Sequence, residues 1–146
     1  MAKLIVVRIR GRVNLAPDIK KTLNMLRLRK KFSCVILEDS SENLGKLKKA
    51  QNYISYGQVE EETIKQLILK RGRTLGNKPL KEDEKKIESF IKDFIEGKKE
   101  LVDLNIKPFF RLHPPKSGFK KDTRKLYPEG ILGKNEKINA LVLRML

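Results

Sequence analysis

The chain has 146 residues, with 34 lysines and arginines against 18 aspartates and glutamates and a formal net charge of +16. A hydrophobic share of 39% and a charged share of 36% describe one small folding unit with more surface than interior, too short for two full domains. A single cysteine, Cys34, excludes an intramolecular disulfide, a single histidine, His113, excludes a zinc site of the histidine–cysteine kind, and no apolar run nears the ~20 residues of a membrane helix.

Lys3–Arg10 reads as a strand, with Ile5, Val7 and Ile9 toward a core and Arg8 and Arg10 outward. Gly11-Arg12-Val13-Asn14 turns the chain, and Pro17 with Asp18 opens a helix whose inner face is Ile19, Leu23 and Leu26. A basic exit, Arg27-Leu28-Arg29-Lys30-Lys31, leads into a second strand at Phe32–Leu37. Asp39, Ser40 and Ser41 are good caps for a second helix carrying Leu44, Leu47 and Ala50 inward. Tyr53–Tyr56 forms a third short strand ended by Gly57. The order is β-α-β-α-β, and right-handed crossovers put both helices on one face of the sheet. The other face is left open, or is covered by later segments.

Val59–Arg71 reads as a helix with Ile64, Leu67 and Ile68 inside, acids Glu60 to Glu62 at its start and Gly72 as its stop. Glu82–Glu96 is strongly amphipathic, with Ile87, Phe90, Ile91, Phe94 and Ile95 in one stripe and Gly97 at its end. Leu101 and Leu104 extend that apolar surface. Lys107–Leu112 allows a further strand, but His113–Gly118 cannot continue a ladder because Pro114 and Pro115 lack donors. From there to Leu132 the chain reads as a basic, glycine-containing loop. Asn135–Leu146 closes as a helix with Ile138, Leu141, Val142 and Met145 facing the body. The expected organisation is an α/β core over 1–57, with a helical insertion, the basic loop and the closing helix over 58–146 packed on the same domain.

Groups able to do chemistry are scarce. No phosphate-loop or dinucleotide fingerprint occurs, and the acids Glu38-Asp39 and Glu82-Asp83-Glu84 stand at helix starts, where capping explains them. Cys34 sits in the apolar run Cys34–Leu37 and reads as a buried, inert thiol. His113 reads first as a loop residue bonded to a neighbour and second as a contact to a phosphate or base. The expectation is a non-enzyme with no cofactor, no metal and no small-molecule substrate. Leu4–Val7 is too short for a signal peptide and Arg8 interrupts it, so a reduced, cytoplasmic location is expected.

The charge is unevenly placed. Residues 1–31 carry a net +9 and residues 105–146 a net +7, while 32–57 and 58–104 are neutral. Self-repulsion disfavours a compact state with such an excess, which therefore points to a polyanionic partner. Confinement to the two ends points to a partner with a defined shape. In the second basic stretch Lys107, Arg111, Lys116, Lys120, Lys121, Arg124 and Lys125 face a single acid, Asp122, with Phe119 and Tyr127 interleaved. Lysine and arginine neutralise phosphates, and aromatic rings stack on unpaired bases. If the two stretches converge in space they make one RNA-binding surface.

Val7-Arg8-Ile9-Arg10-Gly11, Thr22-Leu23, Leu26-Arg27-Leu28, Cys34-Val35-Ile36, Gly45 with Lys49, and Tyr53 with Tyr56-Gly57 resemble ribosomal protein thirty of the large subunit. Lys70-Arg71-Gly72 and the block Phe110-Arg111-Leu112-His113-Pro114-Pro115-Lys116-Ser117-Gly118 are similar to its longer archaeal and eukaryotic branch, the block and closing helix to the archaeal type. The resemblance covers essentially the whole chain. It implies a ferredoxin-like core with a three-stranded, antiparallel-containing sheet, bound to large-subunit rRNA near 5S rRNA among neighbouring ribosomal proteins. It also implies an RNA-facing set of Arg10, Gly11, Arg27, Arg29, Lys30, Lys31, Lys46, Lys49, Arg111, His113, Lys116, Lys120 and Lys121, to which the charge reading adds Arg8, Arg12 and Lys125. Family members often carry arginine just before the glycine of the second helix; here that position is Leu44, with Lys46 and Lys49 close by.

Overall fold

The computed structural model describes residues 3–11, 16–71, 84–96, 109–116, 118, 122–127 and 129–146. Strand β1 (Lys3–Arg8) is buried along its whole length. It pairs antiparallel with β2 (Ser33–Glu38) on one side and β3 (Ile54–Gln58) on the other, so that Val7 lies between Cys34 and Ser55. Helices α1 (Pro17–Met25) and α2 (Ser41–Lys49) cover one face. Leu23, Leu26, Leu28, Leu47 and Ala50 pack there on Leu4, Val6, Val35 and Ile54. Ser40 caps α2, its Oγ accepting the Asn43 N–H at 3.2 Å. This is the ferredoxin-like core that the resemblance implied. β2 and β3 run parallel to each other with β1 between them, so within this core the crossover rule governs β2–α2–β3 and not β1–α1–β2.

The second face is covered. α3 (Glu61–Arg71), α4 (Glu84–Ile95) and α5 (Ile138–Met145) bring Ile64, Leu67, Phe90, Ile91, Val142 and Met145 onto Ile5, Val7 and Ile9. β1 therefore feeds alternate residues into two cores, which accounts for its near-continuous apolar run.

The sheet is wider than the three strands expected. Among the described residues it has six, in the order β4-β2-β1-β3-β6-β5. β4 (Phe110–Arg111) pairs antiparallel with β2, setting Arg111 opposite Ser33. β6 (Gly130–Lys134) runs parallel to β3, and β5 (Asp122–Leu126) parallel to β6. The stretch read as an irregular loop up to Leu132 thus holds two strands. β5, with the charged sequence DTRKL, suits the edge of a sheet, while β6, GILGK, is buried between β3 and β5, and neither shows the alternation of a half-buried strand. Nor does β3 end at Gly57. A Cβ there would stand 2.5 Å from the Asn135 carbonyl oxygen and 2.8 Å from the Ile138 Cγ2. Glycine lets the turn before α5 close against the strand. Gly72, Gly97, Leu101 and Leu104 lie outside the described residues.

The His-Pro-Pro-Lys segment closes the far end of α5. Its last carbonyls accept backbone N–H groups from outside the helix, Met145 from His113 at 3.0 Å and Arg144 from Lys116 at 3.1 Å. The Arg144 guanidinium in turn donates to the carbonyls of Lys116, at 3.0 Å, and Gly118. Carbonyls that a helix end would leave without partners are satisfied in this way.

Candidate nucleic-acid interface

The basic turn after α1 has a fixed shape. Arg27 N–H donates to the Asn24 carbonyl at 3.1 Å and Leu28 N–H to the Leu23 carbonyl at 2.9 Å. With Leu23 and Leu28 buried together, this is a complete Schellman stop. Its left-handed residue, φ 64°, is Arg27 and not the glycine that such a position favours. Phe32, at φ 65°, ends the turn. Phe32 N–H donates to the Arg8 carbonyl at 2.8 Å, and the Phe32 carbonyl accepts the Leu112 N–H at 3.0 Å.

That last bond and the β2–β4 ladder join the two basic stretches. Arg27, Arg29, Ser33, Phe109 and Arg111 line a cavity of about 300 Å³. The Arg111 guanidinium lies over the Phe109 ring, 5.2 Å from its centroid. Lys30 and Lys31 are exposed on the same turn. Arg10, half-buried, stacks its guanidinium 5.2 Å from the Tyr53 ring, and Gly11 follows with open space where a Cβ would be.

Arg8 is not outward-facing, contrary to its place in the expected RNA-facing set. It is 2% exposed, because even-numbered residues of β1 point into the α1–α2 core. Its Nη1 donates to the Leu28 carbonyl at 2.7 Å and its Nε to the Arg10 carbonyl at 3.0 Å. The buried guanidinium ties the basic turn to the strand.

The remaining members of that set are dispersed. On α2, Lys49 is exposed, while Lys46 is half-buried and 3.5 Å from Glu42. Leu44 packs against the α1–α2 core. His113 and Lys116 are exposed, with their backbone N–H groups engaged by α5. Lys125 is exposed on β5, at the opposite edge of the sheet from β4, roughly 24 Å away by strand spacing. The convergence of the two termini is therefore partial: Arg111 joins the N-terminal turn and Lys125 does not. Arg12, Lys120, Lys121 and Phe119 lie outside the described residues. Tyr127 is half-buried and shares a second cavity, of about 270 Å³, with Lys137, Leu141 and Arg144. Sequence reasoning missed Ser33 and Phe109 as lining residues. The available signal was the spacing of Phe109 two residues before Arg111.

Among the described residues the acids form no comparable centre. Glu61, Glu62 and Glu88 border a cleft between α3 and α4 together with Lys65 and Lys92. Lys65 donates to Glu88 at 2.8 Å and holds that carboxyl below its ordinary range, the signature of a resting ion pair and not of a proton donor. Cys34 is fully buried, and burial pushes its thiol pKa up. Among the described residues no three of His, Cys, Asp and Glu are grouped to hold a metal ion, and no helix is long and apolar enough to cross a membrane.

Fold and site together define a small α/β scaffold that displays cationic side chains at two edges of one sheet. The family model for ribosomal protein L30p/L7e matches residues 4–54, which hold β1 through the start of β3. The large ribosomal subunit protein uL30 of Staphylothermus marinus is 44% identical over 156 aligned residues, covering 97% of this chain and 96% of that protein. The uL30 proteins of Archaeoglobus fulgidus and Nanoarchaeum equitans are each 42% identical, over 96% and 99% of this chain. The chain belongs to the uL30 family of large ribosomal subunit proteins. As a member it is a structural constituent of the ribosome and not an enzyme.

Proposed function

We propose that the chain binds rRNA of the large subunit, in the region of 5S rRNA, and so supports subunit assembly and translation in the cytoplasm beside neighbouring ribosomal proteins. The RNA lies along the β4–β2 edge, against Arg10, Gly11, Arg27, Arg29, Lys30, Lys31 and Arg111. One observation carries this reading: the pairing of Ser33 with Arg111 puts arginines from both basic stretches around a single cavity. The turn is held by backbone hydrogen bonds before any ligand arrives, so little ordering opposes binding. Phosphate contacts set position, and arginine and aromatic planes add local selectivity. If each of those cations takes one phosphate, this edge contributes about −4 to the slope of log affinity against log salt, at roughly −0.7 for each contact. No small molecule and no membrane enters this role.

Replacing Arg10→Ala together with Lys30→Ala should weaken binding to large-subunit rRNA fragments and flatten that slope by about 1.4, from two contacts of ~0.7 each. The melting temperature should fall only slightly, reflecting the ~0.5–1 kcal/mol that the Arg10–Tyr53 stack contributes. Filter binding across a salt series, with duplex DNA in parallel, measures both. Equal affinity for duplex DNA at every salt concentration would overturn the rRNA reading in favour of a general polyanion coat.

A further inference from the structure

We infer that the cavity between the α1–β2 turn and β4 is a pocket for one unstacked nucleotide, its base continuing the Phe109–Arg111 stack and its phosphate lying between Arg27 and Arg29. The inference rests on the RNA reading above and sharpens it from backbone binding to capture of a bulged or looped-out residue.

The size is the first argument. About 300 Å³ lies at the small end of ligand sites and cannot admit a duplex. The lining is the second: among the described residues it consists of arginines, a phenylalanine and a serine hydroxyl, with no acid. Arginine supplies a planar fork for phosphate and a flat face for a base, where lysine supplies a point charge alone. Arg111 is exposed and already lies over the Phe109 ring, so a stacking platform exists before the base arrives. The backbone is the third. Arg27 holds a left-handed conformation in a helix stop that glycine would form with less strain. The strain of an arginine in such a place points to a use for its side chain, which borders the cavity. Arg8 fixes the Leu28 carbonyl from beneath, and the Phe32–Leu112 bond fixes β4, so both walls of the pocket are braced.

The test uses the full chain and two RNA hairpins of equal length and charge, one fully paired and one with a single bulged 2-aminopurine. Stacking of one base gives the wild type about a tenfold preference for the bulged hairpin, with quenching of the 2-aminopurine on binding. Phe109→Ala removes the preference and the quenching. Arg111→Lys does the same from an exposed position, with the charge and the melting temperature unchanged. Arg27→Gly raises the melting temperature and lowers affinity for the bulged hairpin more than for the paired one, whereas an arginine on backbone phosphate alone would lower both equally. Equal wild-type affinity for the two hairpins, or a preference that survives both Phe109→Ala and Arg111→Lys, overturns the nucleotide pocket and leaves the RNA reading standing. Failure of both hairpins to bind at low salt overturns the two together.

Discussion

The two edges of the sheet carry their charge in different proportions of arginine and lysine, with Lys30 and Lys31 beside the arginines at the first and Arg144 beside the lysines at the second. Beside β4 the cations lining the cavity are Arg27, Arg29 and Arg111, with Phe109 among them. Beside β5 and β6 the exposed cations include Lys125, Lys134 and Lys137. The backbone differs in the same sense. At the first edge, left-handed conformations are held by Arg27 and Phe32; at the second, by Gly133, at φ 76°. Glycine takes that conformation almost without strain, while arginine and phenylalanine do not. Of the two strained residues, Arg27 borders the cavity while Phe32 packs against the core. Arginine's planar fork confers geometry, and a hydrated ammonium on a flexible stem confers attraction. The arginine edge therefore reads shape, and the lysine edge contributes positioning.

The largest test of this contrast concerns what the edges share. Ile91 on α4 is buried in the core that packs under β1, common to both. Ile91→Ala should cost roughly 2–5 kcal/mol through the cavity it leaves, measured by chemical denaturation. The salt slope of RNA binding by the folded protein should be unchanged; a changed slope would mean that the edges respond separately to the core. A smaller effect separates them. Arg8→Met removes the donors to the Leu28 and Arg10 carbonyls and should cost about 1–3 kcal/mol. Amide exchange should quicken around residues 28–32 and stay slow in β6. Uniform quickening across the sheet would show that Arg8 supports the whole fold and not the arginine edge.

Much of the fold was legible because its signals are local. The capping serine at Ser40, the stripe from Ile87 to Phe94 and the β-branched run of β1 each depend on neighbours within one or two turns of chain. What failed depended on distant partners. Arg8 was expected outside because the core was set on the odd-numbered residues of β1, which α3, α4 and α5 cover, while α1 and α2 pack on the even-numbered face that carries Arg8. β5 and β6 escaped because their strand character comes from pairing beside β3, not from their own alternation. The site followed the same rule. The charge map showed two basic stretches, but only the β2–β4 register decides that Arg111 meets the turn while Lys125 sits at the far edge. No local pattern marks Arg27 as left-handed, since that place in a helix stop usually holds glycine.

The smallest effect belongs to the lysine edge. Lys125 and Lys134 are exposed, on β5 and β6, away from the arginine cavity. Replacing both with alanine should leave stability within about 0.5 kcal/mol, since no buried contact is lost. If each takes one phosphate, the salt slope should flatten by about 1.4, at ~0.7 per contact. The preference for a bulged hairpin should persist in full, because the planes that recognise the base stand at the other edge. The salt series that measures the slope can be run on both hairpins with this double variant. A lost preference with an unchanged slope would reverse the roles of the two edges, making lysines the readers of shape, and the division of labour argued from arginine geometry would have to be abandoned.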